Sequence, residues 1–226
     1  MKNEKIMIKR LNFSRSIILM FITLFAFSSL SQAQEVENDY QSRAYAEMSY
    51  KPVEKLKLKL IPEIRLDEDF SIGKYLLETE AIYKPLDFFS VGAAYRFVIN
   101  PRETKSTEYF HRFAVNASVS KKVFRFDPAL RFSYSNYADD ETTDKEFFRY
   151  KASVKYDIKS CKLTPFIAAE AFQQLTDNGL YKMRYTLGVD YKVKKNNYIG
   201  LSYKLDYYKN ELRNRHIISL GYKIKF

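Results

Sequence analysis

The sequence predicts an all-β fold, an antiparallel transmembrane β-barrel of about twelve strands, ten being the alternative, around a small lumen. Three observations lead there: apolar and polar residues alternate with period two along nearly the whole chain, the first 33 residues have the make-up of a cleavable export signal, and the last strand ends on an aromatic residue.

The period is clearest in Lys55-Leu56-Lys57-Leu58-Lys59-Leu60, which continues through Ile64 and Leu66 against Glu63 and Arg65. It recurs in Phe89, Val91, Ala93, Tyr95 and Phe97 against Ser90, Gly92, Ala94 and Arg96, and in Phe148, Tyr150, Ala152, Val154 and Tyr156 against Arg149, Lys151, Ser153 and Lys155. Side chains of a strand point alternately to its two faces, so each segment has one apolar and one polar face, a period that a helix does not keep. Eleven segments read as strands: 42–50, 55–66, 74–84, 88–99, 107–120, 123–136, 146–158, 163–173, 180–193, 198–208 and 214–226. Bacterial single-chain barrels close with an even number. A weak strand within 34–41 would complete twelve, and a ten-stranded barrel over 55–226 would leave 34–50 as an extra segment.

Residues 1–33 read as a secretory signal peptide, with Lys2, Lys5, Lys9, Arg10 and Arg15 before the apolar run Ile17–Leu30 and the small-x-small site Ser31-Gln32-Ala33. That run is shorter than the roughly 20 residues a retained membrane helix needs. Cleavage leaves 34–226 as the barrel domain, starting at Gln34, and removes five basic residues and Glu4, so the formal charge falls from +11 to +7. An exported basic chain meets no nucleic acid, so the charge belongs to the lumen and rims of the barrel. The single Cys161 excludes an intramolecular disulfide.

At the other terminus His216, Ile218, Leu220, Tyr222, Ile224 and Phe226 share one face. Leu220, Tyr222 and the terminal Phe226 are similar to the assembly signal of bacterial outer-membrane barrels, which makes the barrel-assembly machinery an expected partner beside outer-membrane lipid and lipopolysaccharide. Short connections rich in Lys alternate with longer, more acidic ones, and short turns belong on the periplasmic side. The expected arrangement has Lys51, Lys84, Lys121, Lys122, Lys159, Lys162, Lys194 and Lys195 in turns at the periplasmic leaflet, and Asp67, Glu68, Asp69, Asp139, Asp140, Glu141 and Asp144 in loops facing the cell exterior. A soluble sandwich or lipocalin-like cup would turn the apolar faces inward. The long strands and their many Tyr and Phe favour lipid, with Tyr supplying interfacial girdles in a chain without Trp.

Short motifs follow one another over residues 42–226: Pro62-Glu63-Ile64-Arg65, Gly92-Ala93-Ala94-Tyr95-Arg96, Glu108-Tyr109-Phe110-His111-Arg112, Ala129-Leu130-Arg131-Phe132, Phe148-Arg149-Tyr150, Pro165-Phe166-Ile167-Ala168-Ala169-Glu170 and Arg184-Tyr185-Thr186-Leu187-Gly188. Their order resembles an uncharacterised outer-membrane family, domain of unknown function 2490, typical of Bacteroidetes and some Proteobacteria. The resemblance implies a fold and a membrane, not a reaction.

Strand parity assigns a basic set to the lumen, notably Arg65, Arg96, Arg112, Arg131, Arg149 and Arg184, with Glu63, Glu78, Glu80, Glu170 and Asp190 as acidic partners. Two readings stay open: an ion-pair network that fills a small barrel, or a narrow pore whose excess positive charge favours anions. An outer-membrane enzyme or a small receptor at the extracellular rim is the alternative class. A hydrolase needs a general base, and the two histidines, His111 and His216, both fall on the lipid-facing parity. The acidic run around Asp139, Asp140, Glu141, Asp144 and Glu146 has oxygen ligands for Ca²⁺ but lacks a calcium loop's spacing, so no metal and no cofactor is expected. Oligomeric state and ligand stay open.

Overall fold

In the computed structural model, residues 36–102, 105–139, 145–176, 179–209 and 211–226 are described. The expected signal peptide 1–33 and its cleavage point at Gln34 lie outside them. Eleven strands follow one another: β1 (Glu37–Val53), β2 (Leu56–Leu66), β3 (Ile72–Leu86), β4 (Phe89–Asn100), β5 (Glu108–Ser120), β6 (Phe126–Ser135), β7 (Phe147–Tyr156), β8 (Leu163–Gln174), β9 (Leu180–Lys194), β10 (Asn197–Tyr208) and β11 (Arg213–Lys225). Each pairs with its neighbours in sequence, and β1 meets β11 to close a barrel.

The dyad pattern decides which face each residue takes. Along β6, Phe126, Leu130 and Phe132 are exposed on the outside, whereas Asp127, Ala129, Arg131, Ser133 and Ser135 are half-buried or buried on the inside. A one-residue slip would exchange the two sets, so the alternation also fixes the register.

Closure departs from the expected twelve strands. Residues 37–41, part of the stretch 34–41 expected to hold a twelfth strand, are the beginning of β1, which runs on to Val53. Consecutive antiparallel strands alternate in direction, so an odd number leaves the first and last pointing the same way. The seam is accordingly parallel, in register from Glu37 opposite Arg213 to Ser49 opposite Lys225. A parallel ladder also satisfies the edge groups of both strands, so eleven strands close as fully as twelve.

Side chains reinforce this seam. Arg215 pairs with Asp39, the Ser49 hydroxyl donates to the Ile224 carbonyl at 3.3 Å, and the Phe226 N–H donates to the Ser49 carbonyl at 2.8 Å. Tyr45 lies directly opposite Gly221, and its ring occupies the space that a Cβ at Gly221 would need. Phe166 covers Gly188 in the same manner on the β8–β9 pair.

The short turns lie at one end. Asn196 adopts φ 66° there and Ser160 φ 59°, with Asn among the residues that best tolerate the left-handed region. The longer connections lie at the other end. In one of them, between β6 and β7, the described residues that follow β6 do not stay outside. Tyr137, Ala138 and Asp139 fold into the barrel mouth and are 3%, 0% and 5% exposed.

Candidate functional site

Four inward-facing arginines from four strands converge on Asp139. Arg184 of β9 reaches its Oδ2 at 2.6 Å and Arg43 of β1 at 3.2 Å. Arg96 of β4 reaches Oδ1 at 2.9 Å and Arg65 of β2 at 3.4 Å. Arg65 also donates to the Asp139 main-chain carbonyl at 3.3 Å. Residues this far apart in the strand order meet on one carboxylate because all four point into a closed lumen.

Each of these arginines has a second acid. Glu63 holds Arg65 at 2.6 Å and Arg43 at 3.8 Å, Glu78 holds Arg96 at 2.7 Å, and Asp206 holds Arg184 at 2.6 Å and Lys182 at 2.7 Å. Lys182 and Asp206 are wholly buried, and Lys182 Nζ also lies 4.8 Å from the centre of the Phe172 ring. Burial alone would push the Asp139 carboxyl up, but the guanidiniums of Arg184, Arg43, Arg65 and Arg96 together hold it well below the ordinary aspartate range.

The backbone at Asp139 takes φ 71°, a conformation that Asp tolerates better than most residues with a Cβ. Its neighbours are sealed by aromatic contacts. Arg96 lies 4.5 Å and Arg149 5.7 Å from the centre of the Tyr137 ring, while Ala138 joins a buried cluster with Phe147, Phe172 and the partly buried Tyr181. The described part of the loop, Tyr137–Asp139, is thus seated in the barrel mouth: its carboxylate, its aromatic ring and Ala138 each find a matching partner in the wall.

Below Asp139 lies a polar cavity of about 320 Å³, whose lining includes Arg43, Arg96, Arg131, Arg149, Lys151, Arg184 and Lys204 against Glu47, Glu63, Glu78, Asp139 and Glu170. Among the described residues, seven bases against five acids leave its wall positive. A second space of about 560 Å³ toward the short turns is bordered by Lys57, Lys59, Lys155, Lys223 and Lys225 among others, and Glu47 borders both.

A family model described as "Protein of unknown function (DUF2490)" matches residues 43–217. The chain belongs to the DUF2490 family. The matched stretch runs from Arg43 to Ile217 and so holds every member of the Asp139 network. Two solved structures are similar to the chain. A KdgM porin shares 13% identity at a TM-score of 0.48, with 74% of this chain and 89% of that chain covered. A KdgM porin in complex with disordered oligogalacturonate shares 13% identity at a TM-score of 0.49, with 74% and 90% covered. No curated protein matches the chain.

Within this DUF2490 barrel, Arg65, Arg96, Arg184, Glu63 and Glu78 gather around Asp139. Arg149 and Glu170 pair beside them at 2.8 Å. Asp190 and Glu80 lie apart from that cluster, with Lys223 at 2.7 Å and Lys59 at 2.7 Å respectively. Arg112 is buried, its guanidinium 5.1 Å from the centre of the Phe110 ring. Arg131 lines the central cavity. On the outside, Leu220 and Phe226 are exposed at 55% and 70%, and Tyr222 accompanies them.

Strand parity also places Asp206 among the lumen acids, whereas Asp139, Lys182 and Arg43 were missed as members of the network. Lys182 and Arg43 share the inward parity and were open to the same argument. Nothing periodic marks Asp139, whose expected place in an outward acidic loop is corrected by its burial among arginines. The remaining run Asp140, Glu141 and Asp144 lies outside the described residues, and Glu146 accepts from the Tyr134 hydroxyl at 2.7 Å. Among the described residues no group of three His, Cys, Asp or Glu is placed to hold a metal ion. The histidines sit on the outer face, His111 Nδ1 at 2.7 Å from Tyr95 Oη and His216 Nδ1 at 2.6 Å from Tyr203 Oη.

Proposed function

We infer that the chain is an integral outer-membrane β-barrel, exported through its N-terminal signal peptide, whose outer mouth is held shut by the β6–β7 loop and whose remaining lumen favours anions. The observation that carries the closed state is the capture of Asp139 by arginines of β1, β2, β4 and β9. A carboxylate so held fixes Tyr137–Asp139 in place, and as a plug they block the end at which the longer loops lie.

The outward faces support the membrane. Leu130, Leu187, Ile167, Ile218 and Phe113 are all more than half exposed, and an apolar belt of that extent on a water-soluble monomer is rare. Tyr40, Tyr109 and Tyr207 lie toward the loop end of their strands and Tyr50, Tyr83 and Tyr191 toward the turn end, all exposed, as interfacial girdles do. The basic turns then face the periplasm. The exposed acids Asp67, Glu68 and Asp69 face outward, where divalent cations bridge them to lipopolysaccharide phosphates.

The lumen's preference follows from the seven-to-five excess of bases around the central cavity and the lysines below it, since confined positive charge favours anions. Single-channel recording in a planar bilayer tests the reading. The wild-type barrel is expected to be closed for most of the record, and its rare openings to reverse on the anion side in a KCl gradient. A persistently open wild-type pore would refute the plug, and a cation-side reversal would refute the charge argument.

A further inference from the structure

Among the described residues, the Asp139 network leaves three cations of the central cavity without a counter-ion. Arg131 on β6 and Lys151 on β7 stand directly opposite each other and both line the cavity. Like charges so placed destabilise a strand pair when nothing lies between them. The acid nearest by register is Glu170, opposite Lys151 on β8, yet its carboxylate is turned to Arg149 at 2.8 Å. Lys204 enters the same cavity from β10. Among the described residues, none of the three makes a hydrogen bond or has a carboxylate within 4.0 Å. Arg131 Nε is moreover buried and unbonded, and a buried guanidinium N–H without an acceptor is costly.

The geometry points to a binding site in this cavity for a compact oxyanion carrying two or more negative charges, of the phosphate class, held between Arg131 and Lys151 with Lys204 completing its neutralisation. The guanidinium offers a planar donor fork and the ammonium a point charge, together a common means of holding a tetrahedral oxyanion. About 320 Å³ is room for about ten waters at roughly 30 Å³ each, enough for phosphate with part of its hydration or a small phosphorylated molecule. The plug covers the outer side. Entry is from the turn end, through the space bordered by Lys57, Lys59, Lys155 and Lys225, because Glu47 lines both that space and the cavity.

The site deepens the closed, anion-favouring reading of the barrel and rests on its orientation, but its test does not use conductance. The full barrel, refolded in zwitterionic detergent, is titrated calorimetrically with inorganic phosphate against chloride at constant ionic strength. Saturable binding of phosphate is expected. Arg131→Gln and Lys151→Met are each expected to weaken it by about tenfold or more, the loss that follows from removing one charge-assisted hydrogen bond. Lys122→Gln, in an exposed turn where Lys122 pairs with Asp157 at 3.0 Å, is expected to leave it unchanged. Without phosphate, Lys151→Met should unfold at the same or a higher urea concentration, because it relieves the repulsion with Arg131. Absence of saturable binding, binding indifferent to both substitutions, or a lowered urea midpoint for Lys151→Met without phosphate would each overturn the site. A wild-type pore found open would sink the closed-barrel reading while leaving this titration to decide the site by itself.

Discussion

Replacing Asp139 by Ala removes one carboxylate from a cluster in which Arg43, Arg65, Arg96, Arg184 and Lys182 face Asp139, Glu63, Glu78 and Asp206. The cluster goes from one excess positive charge to two, within a wall that is largely buried. Breaking a buried ion pair by deleting one partner costs about 3–5 kcal/mol. Each arginine here keeps a second acid, so the lower end, about 3 kcal/mol, is expected. That cost falls on the plugged state, which loses its hold on the wall, and at about 1.4 kcal/mol per decade it is roughly a hundredfold rise in the unplugged population. Single-channel records should show the rise directly as open time. Urea titration read by heat-modifiable migration reports any part of the loss that falls on the barrel as a whole. Asp139→Asn keeps the shape and loses the charge, so it should behave as Asp139→Ala does. An Asp139→Ala barrel within about 0.5 kcal/mol of wild type, the range of neutral surface changes, and no more conductive, would refute the plug.

The outward face gives a second prediction: Leu220→Arg should destabilise the inserted barrel by about 2–4 kcal/mol if the residue sits near the midplane, seen as a shifted urea midpoint in lipid vesicles. Deleting Phe226 removes both the terminal aromatic and the N–H that donates to Ser49, so surface levels of the barrel in cells should fall. Gly221→Val forces the Tyr45 ring off the closing seam, and an overpacking cost of about 1–3 kcal/mol is expected in the same urea assay. Cys161, exposed in the β7–β8 turn, should resist an impermeant thiol reagent on whole cells and react once the outer membrane is opened; labelling from outside would reverse the topology.

The sequence alone determined where the strands run and which way their side chains face. Segment 55–66 became β2 and 163–173 became β8 within one residue at each end, because alternation over ten or more residues is a local signal and each strand's two environments reinforce it. The inward parity of Arg65, Arg96, Arg149 and Arg184 was legible for the same reason. The strand count was misjudged because evenness is a rule about how barrels usually close, not a property of any segment. Whether β1 would find a twelfth strand or pair in parallel with β11 depended on two edges far apart in sequence, and the register from Glu37 to Ser49 settled it.

The plug lay further out of reach. Asp139 sits in a run that reads as a solvated acidic loop, and by composition alone it is one. Only the closed barrel brings Arg43, Arg65, Arg96 and Arg184 from four strands to one end of the lumen. There their combined field outweighs the cost of taking a carboxylate out of water. Periodicity records the surroundings a strand residue will meet one step above and below it. A loop has no period, and where it lies is decided by Coulomb partners that exist as a group only after the barrel has closed.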